Sequence, residues 1–359
     1  MADFVPGQRL SREFYEAVIA PRVGVPHAAA LLGAGSDVLG YDTERSTDHD
    51  WGPRCTLFVS PSAVADVRTR VVAALPEHYQ GWPVAIGRDG HVPKPNVIVA
   101  SLTSWLSAQL GWPVADPVGG VALTATDWLL LPQQRLLEIT AGAVFADHDG
   151  QLRRLRDRFA WYPDPVWWWL LACQWRRLAQ EEPFVSRTAE VGDDLGSRVV
   201  CGRLVRECMR LALLIARRYA PYAKWLGTAF ARLPDGDGLG NHLRRALAAD
   251  MVAEREAALG QSYECLAHRF NTLAPSTPLD TSLRDFFDRP ARVLGADRFA
   301  TAALARISDP ALAAMPLVGS VDSMLDSADV LTTPERTAAL RPFYTAFLPP
   351  IRGETPGDR

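Results

Sequence analysis

Short apolar runs alternate with helical spacing in the N-terminal part of the chain. Ala28–Leu32, Cys55–Val59 and Asn96–Ala100 are runs of apolar residues with the length and composition of buried strands. Between the second and third runs, Ser60 followed by Pro61 predicts a helix, because serine suits the N-cap and proline the first helical position. This order predicts a small mixed sheet with helices packed on it.

Two further elements complete the predicted N-terminal part. Ser11 can cap a helix that runs to about Ala20, where Pro21 closes it. A turn at Arg88–Gly90 predicts a hairpin loop between Pro83–Gly87 and the third apolar run.

The pattern changes after residue 150, where helical periods replace the strand-like runs. From Gln151 onward no segment predicts a strand, and helices are expected over 166–180, 198–219 and 222–233. We therefore predict an α+β protein with an N-terminal domain over residues 1–150 and an all-α domain over 151–348. The last residues, 349–359, are expected to form a disordered tail.

Composition and charge narrow the function classes. The 359 residues carry a formal net charge of −3, so there is no overall basic field of the kind that binds nucleic acid without sequence preference. The most apolar run, Val166–Cys173, is too short to span a bilayer, which predicts no membrane partner. Five cysteines without a CxxC pair indicate a reduced, cytoplasmic protein, and the histidine spacing does not indicate a zinc site.

A glycine–serine turn followed by two aspartates is the segment that most strongly suggests chemistry. Gly35-Ser36 follows the first apolar run, and glycine lets the backbone approach a ligand closely. Asp48 and Asp50 precede the second run, and in an extended segment they would lie side by side. Two adjacent carboxylates that both stay charged usually hold a divalent cation, and ligands that are all oxygen favour Mg²⁺.

This arrangement resembles the nucleotidyltransferase superfamily of the polymerase-beta type. The residues that carry the resemblance are Gly35, Ser36, Gly40, Thr47, Asp48 and Asp50. The spacer between turn and aspartates is one residue longer than usual, with Ser46-Thr47 in place of a single serine.

The amino-acid sequences of several segments resemble, more particularly, the bacterial family DUF4037. These segments are Gly35–Arg54, Gln133–Glu138, Cys173–Arg177, Tyr219–Gly227 and Asn271–Leu273. The family name implies a fold but no substrate.

The superfamily resemblance implies a Mg²⁺-dependent transfer of a nucleoside monophosphate from an NTP, with ATP expected, to a hydroxyl acceptor. Asp48 and Asp50 would be the catalytic metal ligands, while Gly35, Ser36 and Thr47 would bind the nucleotide. The acceptor stays open between a small molecule, a protein and an RNA end.

One feature departs from the superfamily pattern and opens a second hypothesis. The superfamily usually has a third acid on a later strand, but the run around Ile98 carries none. Glu138, Asp147 and Asp149 are possible substitutes, with Glu138 the one assigned a catalytic role. Without a third acid, the chain would be a regulatory nucleotide-binding or protein-interaction module with a degenerate site.

The C-terminal part offers weaker candidates. Trp168 and Trp175 lie on one helical face and could stack on a base, although burial in a core is favoured. Lys224, between Tyr222 and Trp225, is the best nucleotide-binding candidate of this part. An arginine stripe on the next helix could neutralise phosphate, although a solvated face is favoured; it comprises Arg203, Arg206, Arg210 and Arg217.

Overall fold

The computed structural model describes residues 3–49, 51–87, 94–119, 123–275 and 277–347. The chain divides into two compact units. The first combines residues 1–124, 130–160 and 326–340, and the second combines 125–129, 161–325 and 341–359. Within the described ranges, no helix has both the length and the apolar character needed to cross a bilayer.

The strands are short and lie mostly in the first unit. In chain order they are β1 Ala28–Leu31, β2 Cys55–Phe58, β3 His78–Tyr79, β4 Trp82–Pro83, β5 Ala85–Ile86, β6 Lys94–Pro95, β7 Val97–Ala100, β8 Ala143–Asp147, β9 Arg284–Phe286 and β10 Arg289–Val293.

Helices make up most of the remaining structure. In chain order they are α1 Gly7–Phe14, α2 Ala20–Val23, α3 Ser36–Leu39, α4 Val64–Ala73, α5 Leu102–Leu110, α6 Ala125–Leu130, α7 Gln133–Thr140, α8 Gln151–Arg158, α9 Asp164–Glu181, α10 Phe184–Glu190, α11 Asp194–Ile215, α12 Ala223–Ala231, α13 Leu239–Ala248, α14 Val252–Asn271, α15 Asp297–Leu304, α16 Pro310–Ala314, α17 Val321–Met324, α18 Ala328–Leu331, α19 Pro334–Ala338 and α20 Arg341–Thr345.

A four-stranded mixed sheet forms the centre of the first unit. Its strand order is β7-β2-β1-β8, with β1 antiparallel to both neighbours and β2 parallel to β7. Every residue of β1 and β2 is buried, as the apolar runs predict. One core cluster joins the sheet to α4 and to the first helical segment, through Phe14, Ile19, Leu57, Val67 and Val99. The predicted α+β class with a mixed sheet is confirmed.

The first helical segment is longer than predicted at both ends. It begins at Gly7, passes through a π-helical stretch over Tyr15–Ile19 and ends at Val23. The predictions that Ser11 caps this helix and that Pro21 closes it are wrong. Pro21 instead takes the second position of α2, in a first helical turn, where the missing proline N–H is tolerated.

β8 is a strand that the sequence pattern did not predict. It pairs with β1, and its five residues are all partly buried. The run Ala143–Asp147 begins with four apolar residues, and periodicity alone does not distinguish so short an apolar run from a segment of a helix. The predicted hairpin loop at Arg88–Gly90 lies outside the described residues, but β5 and β6 on either side of it pair antiparallel.

The second unit is a helical bundle around α9 and α11. Trp169 and Trp175 of α9 are fully buried, and Trp175 stacks on Phe299 of α15 at 4.7 Å between ring centroids. This unit also contains a hairpin of β9 and β10, so the prediction of no strand after residue 151 is wrong. In β10, Ala291 and Val293 are buried and the other three residues are exposed. Two alternating apolar residues are too few to indicate a strand from the sequence.

Candidate functional site

Three segments that the sequence separates meet at one edge of the sheet. Because β1 is antiparallel to β2 and β8, the end of β1 lies at the same edge as the beginnings of those two strands. Leu31, the last residue of β1, pairs with Ala143, the first residue of β8. The glycine–serine turn follows β1, while the Asp48 and Glu138 segments precede β2 and β8.

Two glycines give the turn its shape. Gly33 has φ 93° and Gly35 has φ 139°, backbone conformations that residues with a side chain rarely adopt. The N–H of Gly33 donates to the carbonyl oxygen of Glu138 at 2.9 Å, which fixes the turn to the end of α7. Ser36 then begins the short helix α3, and its carbonyl accepts the N–H of Tyr41 at 2.8 Å.

A buried ion pair lies against the turn. Asp37 is 3% exposed, and its Oδ1 accepts a hydrogen bond from Nη2 of Arg54 at 2.8 Å. Nη1 of Arg54 donates to the carbonyl oxygen of Ala34 at 2.7 Å, so one guanidinium contacts the chain on both sides of Gly35. Burial raises the pKa of the Asp37 carboxyl, and the nearby Arg54 charge opposes that rise.

Glu138 is the second buried acid at this edge. Its side chain is 7% exposed, and Oε2 lies 2.6 Å from Nη1 of Arg135. Burial raises the pKa of the Glu138 carboxyl, while Arg135 and, more weakly, Arg54 lower it. Arg54 therefore acts electrostatically on both buried acids. Of the three substitutes for the missing third acid, only Glu138 lies at this edge.

Asp147 and Asp149 lie elsewhere in the first unit. Asp147 pairs with Ala28 at the opposite edge of the sheet, where its carboxylate accepts the N–H of Arg153 at 2.9 Å and so caps α8. Asp149 is exposed and lines the same cavity of about 560 Å³ as Asp147. Neither shares an edge of the sheet with the glycine–serine turn.

Asp48 is exposed at the end of a 3₁₀ helix that runs over Glu44–Asp48. Its side chain is 54% exposed, and Oδ1 lies 2.7 Å from Nδ1 of His49. The hydrogen bond with His49 lowers the pKa of the Asp48 carboxyl, which keeps it ionised. Asp50, its predicted partner, lies outside the described residues.

The expectation that Asp48 belongs to an extended segment leading into the strand is wrong. Ser46 N–H donates to Thr43 O at 2.8 Å and Thr43 N–H to Ser46 Oγ at 3.1 Å, a reciprocal pair that begins a helical turn. Strand β2 starts only at Cys55, after Pro53, because proline cannot donate to a sheet ladder. Thr47 uses its hydroxyl to donate to Glu44 O at 2.8 Å.

The edge strand β7 contains the run in which the superfamily resemblance implies a third acid. β7 runs parallel to β2 with Ile98 opposite Thr56, and Ile98 is 52% exposed. Each of its four residues, Val97–Ala100, is apolar. The strand on which the superfamily resemblance led us to look for a third acid therefore presents the exposed side chain of Ile98.

The carboxylate oxygens of Asp48 are ligands of the type that a hard cation such as Mg²⁺ binds. An exposed, ionised carboxylate offers the oxygen ligands that Mg²⁺ prefers. Among the described residues, which exclude Asp50, no group of three or more His, Cys, Asp or Glu side chains could hold a metal ion. Asp48 and Asp50 remain the predicted ligands.

The candidate residues of the second unit differ in how far they are buried. Trp167, Trp169 and Trp175 are buried, in keeping with the favoured core interpretation of these tryptophans, while Trp168 is partly buried. Lys224 is exposed, with Nζ 5.1 Å from the ring centroid of Trp225.

The arginine stripe is not a uniformly solvated face. Arg203 lies 2.8 Å from Glu181, whereas Arg210 is mostly buried and donates to Asp322 O at 2.9 Å. Arg217 stacks on the Trp167 ring at 3.7 Å. These arginines therefore make local contacts within the helical unit.

Asp37 and Arg54 are the residues of this edge to which the sequence alone assigns no role. Asp37 directly follows Gly35-Ser36, so an acid beside the turn was visible in the sequence. Its partner is 17 residues away, and pairing an acid with one of many arginines needs the fold. Arg135 has a clearer signal, since it stands three residues before Glu138 on a predicted helix.

One part of the chain matches a known protein family. Residues 128–226 match the model described as "Domain of unknown function (DUF4037)". The predicted resemblance to this family is confirmed over those residues, which include Glu138, the Cys173–Arg177 segment and Lys224. The glycine–serine turn and Asp48 lie before the matched region.

Comparison with individual proteins adds little. Among curated proteins, none matches the chain. A nucleotidyltransferase-like protein from Exiguobacterium sibiricum 255-15 is similar in structure at a TM-score of 0.35, with 11% sequence identity over 95% of this chain and 89% of that one. A likeness this weak assigns no activity.

Proposed function

We propose that this protein is a Mg²⁺-dependent nucleotidyltransferase that moves a nucleoside monophosphate from an NTP, with ATP expected, to a hydroxyl acceptor. One observation carries the proposal. A turn shaped by Gly33 and Gly35 shares one edge of the sheet with the segment of Asp48, an exposed and ionised carboxylate. This is the pairing of close backbone approach and oxygen ligands that a metal-bound triphosphate needs.

Each residue has a distinct part in the proposed reaction. Gly35 and Ser36 would let the triphosphate approach the backbone, with Thr47 and Lys224 as further nucleotide-binding candidates. Asp48 and Asp50 would hold Mg²⁺, which when bound neutralises charge on the triphosphate as pyrophosphate leaves. The acceptor oxygen would form a bond to the α-phosphorus as the bond to the pyrophosphate oxygen breaks, and the acceptor proton would pass to a base, for which Glu138 is the candidate.

Glu138 is the proposed substitute for the missing third acid. It lies at the edge of the turn, and its buried carboxyl has a raised pKa, which suits a group that accepts a proton. Its ion pair with Arg135 at 2.6 Å competes with such a role, so a bound acceptor would have to displace or share that contact.

A labelling experiment tests the proposal. Purified protein with Mg²⁺ is incubated with ATP labelled at either the α- or the γ-phosphorus, together with small hydroxylated molecules, protein extract or RNA. Transfer of α-label with release of pyrophosphate is the expected result. Transfer of γ-label would indicate a kinase instead and overturn the proposal.

A second candidate is a regulatory module that binds a nucleotide without transferring it. The apolar β7, with Ile98 at the position expected for an acid, favours this alternative. The labelling experiment separates the two: Mg²⁺-dependent ATP binding without transfer of either label to any acceptor class supports the regulatory module.

A further inference from the structure

The segment between Asp48 and β2 ends in an arginine that contacts the glycine–serine turn. Arg54 is partly buried, with its side chain 19% exposed, and its backbone N–H donates to Oγ of the buried Ser11 at 3.1 Å. Arg54 therefore has a fixed backbone position, from which its side chain can act as a rigid support.

The guanidinium of Arg54 makes two hydrogen bonds across the turn. It donates to Ala34 O at 2.7 Å and to Asp37 Oδ1 at 2.8 Å, which are the residues on either side of Gly35-Ser36. A planar guanidinium with donors at fixed angles holds two acceptors in one relative position, which the single point charge of lysine cannot do.

Gly35 shows how closely this ion pair fits the turn. A Cβ atom built on Gly35 would clash with Asp37 Oδ1 and would lie 2.7 Å from Arg54 Nη2. The turn has room for the pair only because residue 35 lacks a side chain. The contact and the φ of 139° thus require glycine for two separate reasons.

The pair is also not fully satisfied by the protein itself. Asp37 Oδ2 and Arg54 Nε are both buried and make no hydrogen bond. An unsatisfied buried polar atom destabilises the fold unless a water molecule or a ligand satisfies it. Burying a charged pair costs desolvation free energy. A pair that is buried beside the glycine turn in spite of this cost suggests that the fold gains a fixed geometry of the turn.

We propose that Arg54, paired with Asp37, is a positioning residue that holds the Gly35-Ser36 turn in the shape that receives the triphosphate. This inference rests on the proposed nucleotide site. It adds that Arg54 ties the chain just before β2 to the turn, so that these two segments are held in one relative position.

The test compares ATP with adenosine, because only ATP carries the phosphates that the turn would receive. Both are titrated calorimetrically, with Mg²⁺, into native protein and Arg54→Lys. We expect Arg54→Lys to weaken ATP binding about tenfold or more while adenosine binding changes little, because lysine cannot hold Ala34 O and Asp37 Oδ1 in one fixed relative position. A loss of overall structure alone would weaken both ligands alike and would contradict the positioning role.

Arg68→Lys is the matched control. Arg68 lies on α4 in the same unit and donates to a single main-chain carbonyl, Val99 O, at 2.8 Å. It should leave both affinities unchanged. If Arg54→Lys does not fold, the near-isosteric Asp37→Asn takes its place, and a selective loss of ATP affinity is again expected.

The outcomes separate this inference from the proposed function. If native protein binds ATP and the Arg54 and Asp37 variants bind it equally well, the positioning role is wrong and the nucleotide site stands. If native protein binds no NTP at all, the nucleotide site and the positioning role both fail.

Discussion

The two halves of the predicted motif differ in how the protein holds them. The glycine–serine half lies against the buried Asp37–Arg54 and Glu138–Arg135 pairs, each with short contacts inside the unit. In the aspartate half, the described acid Asp48 is 54% exposed and hydrogen-bonds to the neighbouring His49. The difference indicates a rigid half and an open half, as we expect if the first shapes the proposed nucleotide site and the second holds the proposed Mg²⁺.

This comparison predicts that substitutions in the first half affect folding, whereas substitutions in the second half affect ligands alone. The strongest test is Gly35→Ala. The methyl group would clash with Asp37 and Arg54 while forcing an unfavourable φ, so we expect a loss of about 3 kcal/mol or more in unfolding free energy. Urea denaturation measures it.

Gly33→Ala and Gly192→Ala are the controls for Gly35. Both glycines have positive φ, but nothing lies within 4 Å of a Cβ built on either one. Each should cost only about 1 kcal/mol of backbone strain. Equal losses at all three positions would show that the ion pair does not crowd Gly35.

Glu138→Gln is expected to have the next largest effect. It removes the carboxylate that faces Arg135, which is itself only 12% exposed, and should lower the unfolding free energy by about 2 kcal/mol. Thermal and urea unfolding check this value. A loss below about 0.5 kcal/mol, the range of ordinary surface substitutions, would contradict a tightly held first half.

The pH dependence of stability tests the buried state of Asp37. Its pKa is raised in the folded protein, so the native state binds more protons than the unfolded state between the ordinary and the raised value. The stability associated with this carboxyl is therefore complete below its unfolded pKa and falls as pH rises through the folded pKa.

Asp37→Asn should remove this fall in stability. We expect the difference in unfolding free energy between native protein and Asp37→Asn to shift in favour of the variant as pH rises from 3 to 8. Urea titrations at several pH values measure the difference. A difference that shifts toward the native protein instead would mean that the Arg54 charge outweighs burial.

The smallest expected effect concerns His49, in the exposed half. His49→Asn should raise the pKa of Asp48 toward its ordinary value, because the hydrogen bond from His49 is the largest cause of its lowering. Carbon-13 NMR titration of the carboxyl measures the change. Arg45→Gln should raise it by less, since Arg45 acts only through its charge, and an equal or larger rise would contradict this ranking.

Sequence pattern predicts those parts of the fold that local rules determine. The buried strands β1 and β2 follow from unbroken apolar runs, and α9 follows from Pro165 at its start and an apolar stripe. β8 was missed because it pairs with β1, which lies far earlier in the sequence. The β9–β10 hairpin was missed because β9 has three residues and only two inward-facing apolar residues mark β10.

Some features of the candidate site can also be predicted from local sequence, whereas others depend on the fold. Gly35, Ser36 and Asp48 are visible as a spaced motif, and Glu138 as an acid on a predicted helix. The Arg54–Asp37 contact and the meeting of Glu138 with the turn depend on strand order, which no local spacing encodes. Asp48 lies at the end of a 3₁₀ helix and not in the predicted extended segment, because reciprocal hydrogen bonds of Thr43 and Ser46 start a helical turn.

Calorimetric titration of each NTP, with and without Mg²⁺, into native protein and into Asp48→Asn/Asp50→Asn tests the central claim most directly. Since Asp48 is exposed, its substitution should change unfolding free energy by no more than about 0.5 kcal/mol, so a loss of affinity would report on the ligand site. The account predicts Mg²⁺-dependent binding of at least one NTP that disappears in the double variant. Binding that persists unchanged in the variant, or no binding of any NTP by folded native protein, would contradict it.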